Sequence, residues 1–160
     1  MRMLAAGAVV LIAMLATADS WAQTATGASK LSEEEAVRTV VTEFGTRLRE
    51  VSVLAPKEIA ARAMDQAYST YVAAPLLASW KNDPKKAPGK RTSSPSPERI
   101  DISTVKATGR DAFVVTGKVI LLTAKERRDG GVFAANPVTM TLAKQQGRWM
   151  IAAYEEREAN

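Results

Sequence analysis

The sequence predicts an α+β domain: a helical first half followed by an antiparallel sheet. Three observations carry this. Apolar residues recur at helical spacing from Val37 to Val51, the apolar period changes to two beyond Ile100, and no internal repeat suggests an alternating arrangement. The two halves need each other, because one-sided helices and a half-apolar sheet both require a partner surface.

The helical half opens at Ser32-Glu33-Glu34-Glu35, which has the spacing of a capping box, with Glu35 placed to reach back to the serine. Val37, Val40, Val41, Phe44, Leu48 and Val51 then form one apolar stripe, so a first helix is expected from Ser32 to about Val53. Pro56 suits the start of a second helix, whose apolar side is Ile59, Ala60, Ala63 and Met64 and which Tyr68 and Tyr71 continue. Pro75 disfavours helix at Ala74 and starts a short third helix through Trp80, ending near Asp83.

Residues 82–97, NDPKKAPGKRTSSPSP, lack any large apolar side chain. Neither flank makes a complete domain, so this segment joins two halves of one domain. Beyond it, Ile100 and Ile102 open a first strand that turns at Gly109-Arg110-Asp111. Residues 112–125 form a second, with Phe113, Val115, Val119 and Leu121 on one side and Gly117 marking a bulge or bend. A turn at Arg128-Asp129-Gly130-Gly131 leads to a third strand through Val138, Met140 and Leu142. Gln146-Gly147 turns into a fourth, where Trp149, Ile151 and Ala153 alternate with Met150 and Tyr154.

The N-terminus reads as a targeting segment. Arg2 precedes an apolar or small run from Leu4 to Ala18, and Ser20-Trp21-Ala22 supplies small residues for a cut after Ala22. The run is shorter than the roughly 20 residues of a comfortable membrane span. The expected organisation is a signal peptide over residues 1–22, a flexible segment over 23–31 and a single domain over 32–157. Export, to the periplasm or outside, follows; an uncleaved inner-membrane anchor is the alternative.

Composition excludes several chemistries. The chain has no cysteine and no histidine, which removes disulfides, a lipoprotein anchor, thiolate metal sites and serine–histidine or cysteine–histidine nucleophiles. Acidic runs at Glu33–Glu35 and Glu155-Glu156-Glu158 lack calcium-loop spacing and are expected at a helix start and in solvent. Neither a metal nor another cofactor is expected. The net charge of +5 favours acidic partners, which for an exported protein means an anionic envelope surface rather than nucleic acid. Lys81, Lys85, Lys86, Lys90 and Arg91 are the candidate anion-binding residues, and no aromatic residue interleaves them for base stacking.

The element order and the closing strand GRWMIAAYEE, with its G-x-W-x-I ending, resemble the cone-shaped α+β superfamily of nuclear transport factor, ketosteroid isomerase and polyketide-cyclase-like proteins. The stretch LLASWKNDPKKAPGKRTSSPSPERI is similar to uncharacterised exported bacterial members. The resemblance implies a curved four-stranded sheet wrapped around the long helix, with a cavity open at one end. It also implies three uses of that cavity: ligand or partner binding, proton transfer by a buried carboxylate beside hydroxyl donors, or assembly of an envelope or secretion complex. The pocket candidates are Asp65, Tyr68, Tyr71, Trp80 and Tyr154. Asp65 on an Ala-rich helix and Asp101 between two isoleucines are ordinary surface positions, so no residue is assigned a catalytic role. The leading expectation is a non-catalytic exported domain that binds a small ligand or an envelope protein through its cavity or sheet face. A histidine-free isomerase or cyclase-like enzyme and an assembly module are the alternatives, and a homodimer through the sheet face is compatible with all three.

Overall fold

A computed structural model describes residues 19–159, with side chains from residue 31 onward. The architecture is α+β. Helix α1 (Asp19–Arg47) leads through a single turn at Leu48–Glu50 to α2 (Lys57–Tyr68) and α3 (Ala74–Asn82). The sheet follows: β1 (Ser96–Ala107), β2 (Ala112–Leu122), a short α4 (Ala124–Asp129), β3 (Ala134–Gln145) and β4 (Arg148–Glu156). Its strands are antiparallel neighbours in chain order.

The α1 stripe works as its spacing demands. Val37, Val41, Phe44 and Leu48 are fully buried against the concave sheet face. That face is built from facing rows: Phe113 with Leu142, Val115 with Met140, Gly117 with Val138, Val119 with Asn136 and Leu121 with Ala134. At one end Glu33 ties α1 to the sheet, accepting from Lys144 and from the Trp149 indole. This bond to a buried ring is the reason Glu33 serves tertiary structure and not a helix start; α1 runs continuously through the Ser32 box from Asp19. Residues 1–18 of the expected targeting segment lie outside the described residues. Among the described residues no helix is long and apolar enough to cross a membrane.

Several sequence expectations shift. Ile59 is half exposed, because the buried stripe of α2 is centred on Ala60, Met64 and Ala67, and Ile59 sits about 100° away from its neighbour Ala60. Helix α3 begins at Ala74, with Pro75 inside its first turn. Strand β2 ends at Leu122 rather than running to Lys125. There Thr123 caps α4 through Lys125 N–H, and Glu126 returns a bond to the Thr123 backbone. The Thr-x-x-Glu spacing was the signal for this helix. The 82–97 segment is ordered rather than loose. It pairs in parallel with the chain after α1, Val53 N–H donating to Lys90 O at 3.1 Å and Lys90 N–H to Val51 O at 2.7 Å. Gly89 lies at φ +146°, with Val51 O 2.6 Å from where a Cβ would stand, so only glycine allows this crossing. The buried Tyr68 hydroxyl donates to Pro88 O at 2.8 Å and anchors the same loop.

Three extra residues bend the sheet. In β1 the pairing skips Glu98 and Ser103, and in β4 it skips Ala152. Each is a bulge, which raises local twist and shifts which side chains face inward. The bend expected at Gly117 is thus realised on the neighbouring strand: Gly117 pairs with Ile102 just before the Ser103 bulge, and a Cβ on it would lie 2.5 Å from Asp101 O. The edge of β4 is partly covered by the α2–α3 connection, where Ala73 N–H donates to Ile151 O at 2.9 Å and Ile151 N–H to Tyr71 O at 2.8 Å.

Gly117→Ala is therefore expected to cost about 1–3 kcal/mol, because backbone on two strands must separate to admit the methyl group. Urea unfolding should show a lower midpoint at unchanged slope. An unchanged midpoint would mean that β1 and β2 do not approach this closely.

Candidate mouth pocket

The interior of the cone is filled. Phe44 is its centre, with ring centroids 5.1 Å from Tyr68, 6.4 Å from Tyr71 and 6.1 Å from Tyr154. Trp80 closes the cluster, 6.0 Å from Tyr68 and 5.8 Å from Tyr154 in edge-on contacts. Such pairs each add about 0.5–1.5 kcal/mol beyond the area they bury. Tyr68, Tyr71 and Trp80 are therefore core residues, and what remains open lies beyond them.

The opening is a recess of about 280 Å³ at the end of the sheet where Leu121 pairs with Ala134. Its apolar lining includes Leu48, Pro97, Val119, Leu121 and Ala134. Its polar groups are Arg91, Thr92, Asn136, Glu156 and Glu158. The Leu121 side chain keeps partial exposure because it stands at this mouth and not in the packed interior.

The polar groups are held in a defined order. Asn136 Nδ2 donates to Glu156 Oε1 at 2.8 Å, and the Tyr154 hydroxyl donates to Glu156 Oε2 at 2.6 Å. Ala159 N–H donates to Asn136 Oδ1 at 3.2 Å, which fixes the amide orientation. Each carboxylate oxygen thus accepts one bond and retains a further acceptor site. Arg91 lines the same recess, and its guanidinium donates to Lys85 O at 3.1 Å. An apolar floor with both a carboxylate acceptor and a fork of donors can orient a small ligand carrying both kinds of group.

The bulge at Ala152 builds this arrangement. Simple alternation along β4 places Tyr154 on the face opposite Trp149 and Ile151. The skipped residue reverses this, so that Tyr154 pairs with Met140, Glu156 pairs with Val138, and both face inward. Glu156, expected in solvent, is accordingly half-buried and bonded. The sequence does not mark Asn136, and it points Glu156 into solvent. The Tyr-x-Glu spacing puts Glu156 beside Tyr154, but no glycine or proline marks the bulge that turns them in.

The other candidates disperse. Asp65 is exposed on α2 and pairs with Lys81, Nζ–O distances being 2.7 and 2.8 Å, so it does not line the mouth pocket. Asp101 is exposed and pairs with Arg99 at 2.7 Å. Lys86 pairs with Asp83 at 3.4 Å. Of the five basic candidates only Arg91 reaches the mouth; Lys85 and Lys90 line other depressions of the surface. Among the described residues, no three His, Cys, Asp or Glu side chains converge as metal ligands.

No family model matches the chain, and no curated protein matches it. Three solved structures are similar. An NTF2-like protein with a cystatin-like fold from Novosphingobium aromaticivorans aligns over 90% of this chain and 93% of its own, at 11% identity and TM-score 0.49. A function-unknown protein from Mycobacterium tuberculosis aligns over 83% and 75%, at 12% identity and TM-score 0.46. An NTF-2-like protein of unknown function from Shewanella oneidensis aligns over 61% and 82%, at 19% identity and TM-score 0.35.

Burial pushes the Tyr68 phenol well above its ordinary range, and the Glu156 and Glu50 carboxylates add to this. Burial also raises Tyr154, with Glu156 pushing the same way and Arg91 opposing. Both groups hold their protons more tightly folded than unfolded. Their contribution to stability is present below the unfolded tyrosine value of about 10 and declines above it. Alkaline titration followed at the phenolate absorbance should show Tyr68 and Tyr154 ionising only together with loss of native circular dichroism. Their reversible ionisation in the folded protein near pH 10 would contradict the packing described.

Proposed function

We propose that the protein is an exported, non-catalytic domain that binds a small ligand in the mouth pocket, with Arg91 and Glu156 orienting it over the Leu48–Val119–Leu121 floor. The observation that carries this reading is the contrast between a ring-filled interior and a recess that keeps convergent polar groups. At about 280 Å³ the recess is at the lower end of the range for ligand sites, which suits a compact ligand. Export is supported by the charged start, apolar run and small-residue cut site of residues 1–22.

The enzymatic alternative needs Asp65 or another acid beside a tyrosine: Asp65 is paired in solvent with Lys81, and the acid that does stand beside a tyrosine, Glu156, has its two carboxylate oxygens engaged by Asn136 and Tyr154. Tyr68 and Tyr154 are committed to packing and to hydrogen bonds within the fold, and Tyr71 packs on Phe44. A binding role needs none of these groups to move protons.

The test is native mass spectrometry of protein recovered from the periplasmic fraction after expression of the full chain. The expected species has the mass of residues 23–160 plus a reproducible small adduct. Ala134→Trp, which fills the recess from β3, should abolish the adduct while leaving the unfolding midpoint nearly unchanged. A processed protein without an adduct, or an adduct indifferent to Ala134→Trp, would overturn the pocket as the binding site.

A further inference from the structure

The chain after α1 carries a feature that the mouth pocket does not use. Leu54 is 60% exposed, and Ile59 just beyond it is 51% exposed. Leu54 stands between two shallow surface depressions and lines both. Lys57 and Lys85 stand in the one, and Lys90 and Arg91 in the other. The parallel pairing of Ser52 with Lys90 holds the two segments together, so the apolar tip and its cations form one ordered surface.

The charges on this surface are free for a partner. Among the described residues no carboxylate is within ion-pairing distance of Lys57, Lys85, Lys90 or Arg91, whereas Lys81 and Lys86 beside them are paired with Asp65 and Asp83. The acidic groups nearby are Asp83, already shared with Lys86, Glu58, exposed at the start of α2, and Glu155 and Glu156, which line a depression with Arg91 and Lys86 and so offset Arg91 rather than the three lysines. The balance is positive.

We infer that this face is a peripheral membrane-docking surface for anionic phospholipid, with Leu54 entering the headgroup boundary and Lys57, Lys85 and Lys90 meeting lipid phosphates. Two features favour a lipid surface over an acidic protein. Leu54 is exposed on the ridge between two shallow depressions rather than at the bottom of one, which a deformable surface accommodates and a rigid partner does not. Lysines flank it on both sides, so insertion and charge attraction act at the same point, as in other interfacial anchors. The exposed Ser93 and Ser94 hydroxyls on the same loop can add donors to phosphate oxygens.

The test is vesicle co-sedimentation of the protein recovered after expression of the full chain. It compares phosphatidylcholine vesicles with and without phosphatidylglycerol. Binding is expected only with phosphatidylglycerol and should weaken with salt. The pair Lys57→Gln and Lys85→Gln should lower the partition coefficient about thirtyfold, following the usual gain per basic residue at an anionic surface. Leu54→Ser should lower it about tenfold. All three positions are exposed and lie outside the mouth pocket, so fold and any pocket adduct should persist, and failure of one proposal leaves the other standing. Equal binding to neutral vesicles, no binding to anionic ones, or indifference to either variant would overturn the inference. So would capture of an acidic protein that requires these lysines in the absence of vesicle binding.

Discussion

One extra residue in the last strand governs how the open end of this fold is built. Without the bulge at Ala152, the inward row of β4 would run Trp149, Ile151, Ala153, Glu155, and the small Ala153 would face Phe44 across a void. With it, Tyr154 enters that space and meets Phe44 and Trp80 edge-on, and Glu156 follows to the rim. The bulge leaves one backbone position unpaired in the ladder, a modest cost beside the burial of a tyrosine ring and its hydrogen bond to a carboxylate. The filling of the cone and the chemistry of its mouth are thus consequences of one register shift.

A filled cone restricts function more than it first suggests. A buried cavity with a titratable acid would invite proton-transfer chemistry, but here the rings of Phe44, Tyr68, Tyr71, Trp80 and Tyr154 occupy that volume. Among the described residues, Glu156, Asn136 and Arg91 converge at the rim. Binding with orientation is the role such an arrangement supports, and the proposed lipid-facing surface would place the protein, and with it the mouth, near the membrane. Arg91 belongs to both regions, since it lines the mouth and the depression beside Leu54.

Much of the architecture is legible in the residues. The Val37–Leu48 stripe, the change of period at Ile100 and the turn residues at Gly109 and Gly147 place helices and strands correctly because burial on one face imposes their spacing. The joining role of residues 82–97 is legible too, since two incomplete halves must share a core. The candidate site is less so. The sequence points Tyr154 and Arg91 to separate sites, and the fold brings them to one depression; it offers Asp65 as a pocket acid, and the fold pairs Asp65 with Lys81 at the surface. Glu156 and Asn136 stayed hidden because a bulge at an alanine leaves no compositional mark, and period-two reading inverts every residue beyond it. The α4 helix is faint in the sequence for another reason: a six-residue helix has too few turns to impose a period, and only its capping box betrays it.

The most direct test of the account is a nuclear Overhauser spectrum of the aromatic protons in solution. The chain has only three each of Phe, Tyr and Trp, so the ring signals can be assigned individually. With centroids 6.1 Å from Phe44 and 5.8 Å from Trp80, the Tyr154 ring should give cross-peaks to both. Cross-peaks to both rings would establish the reversed register of β4 and the closed interior. Their absence, with Tyr154 contacting only side chains of the outer sheet face, would show unbroken alternation along β4, and both the filled cone and the Glu156 rim would have to be abandoned.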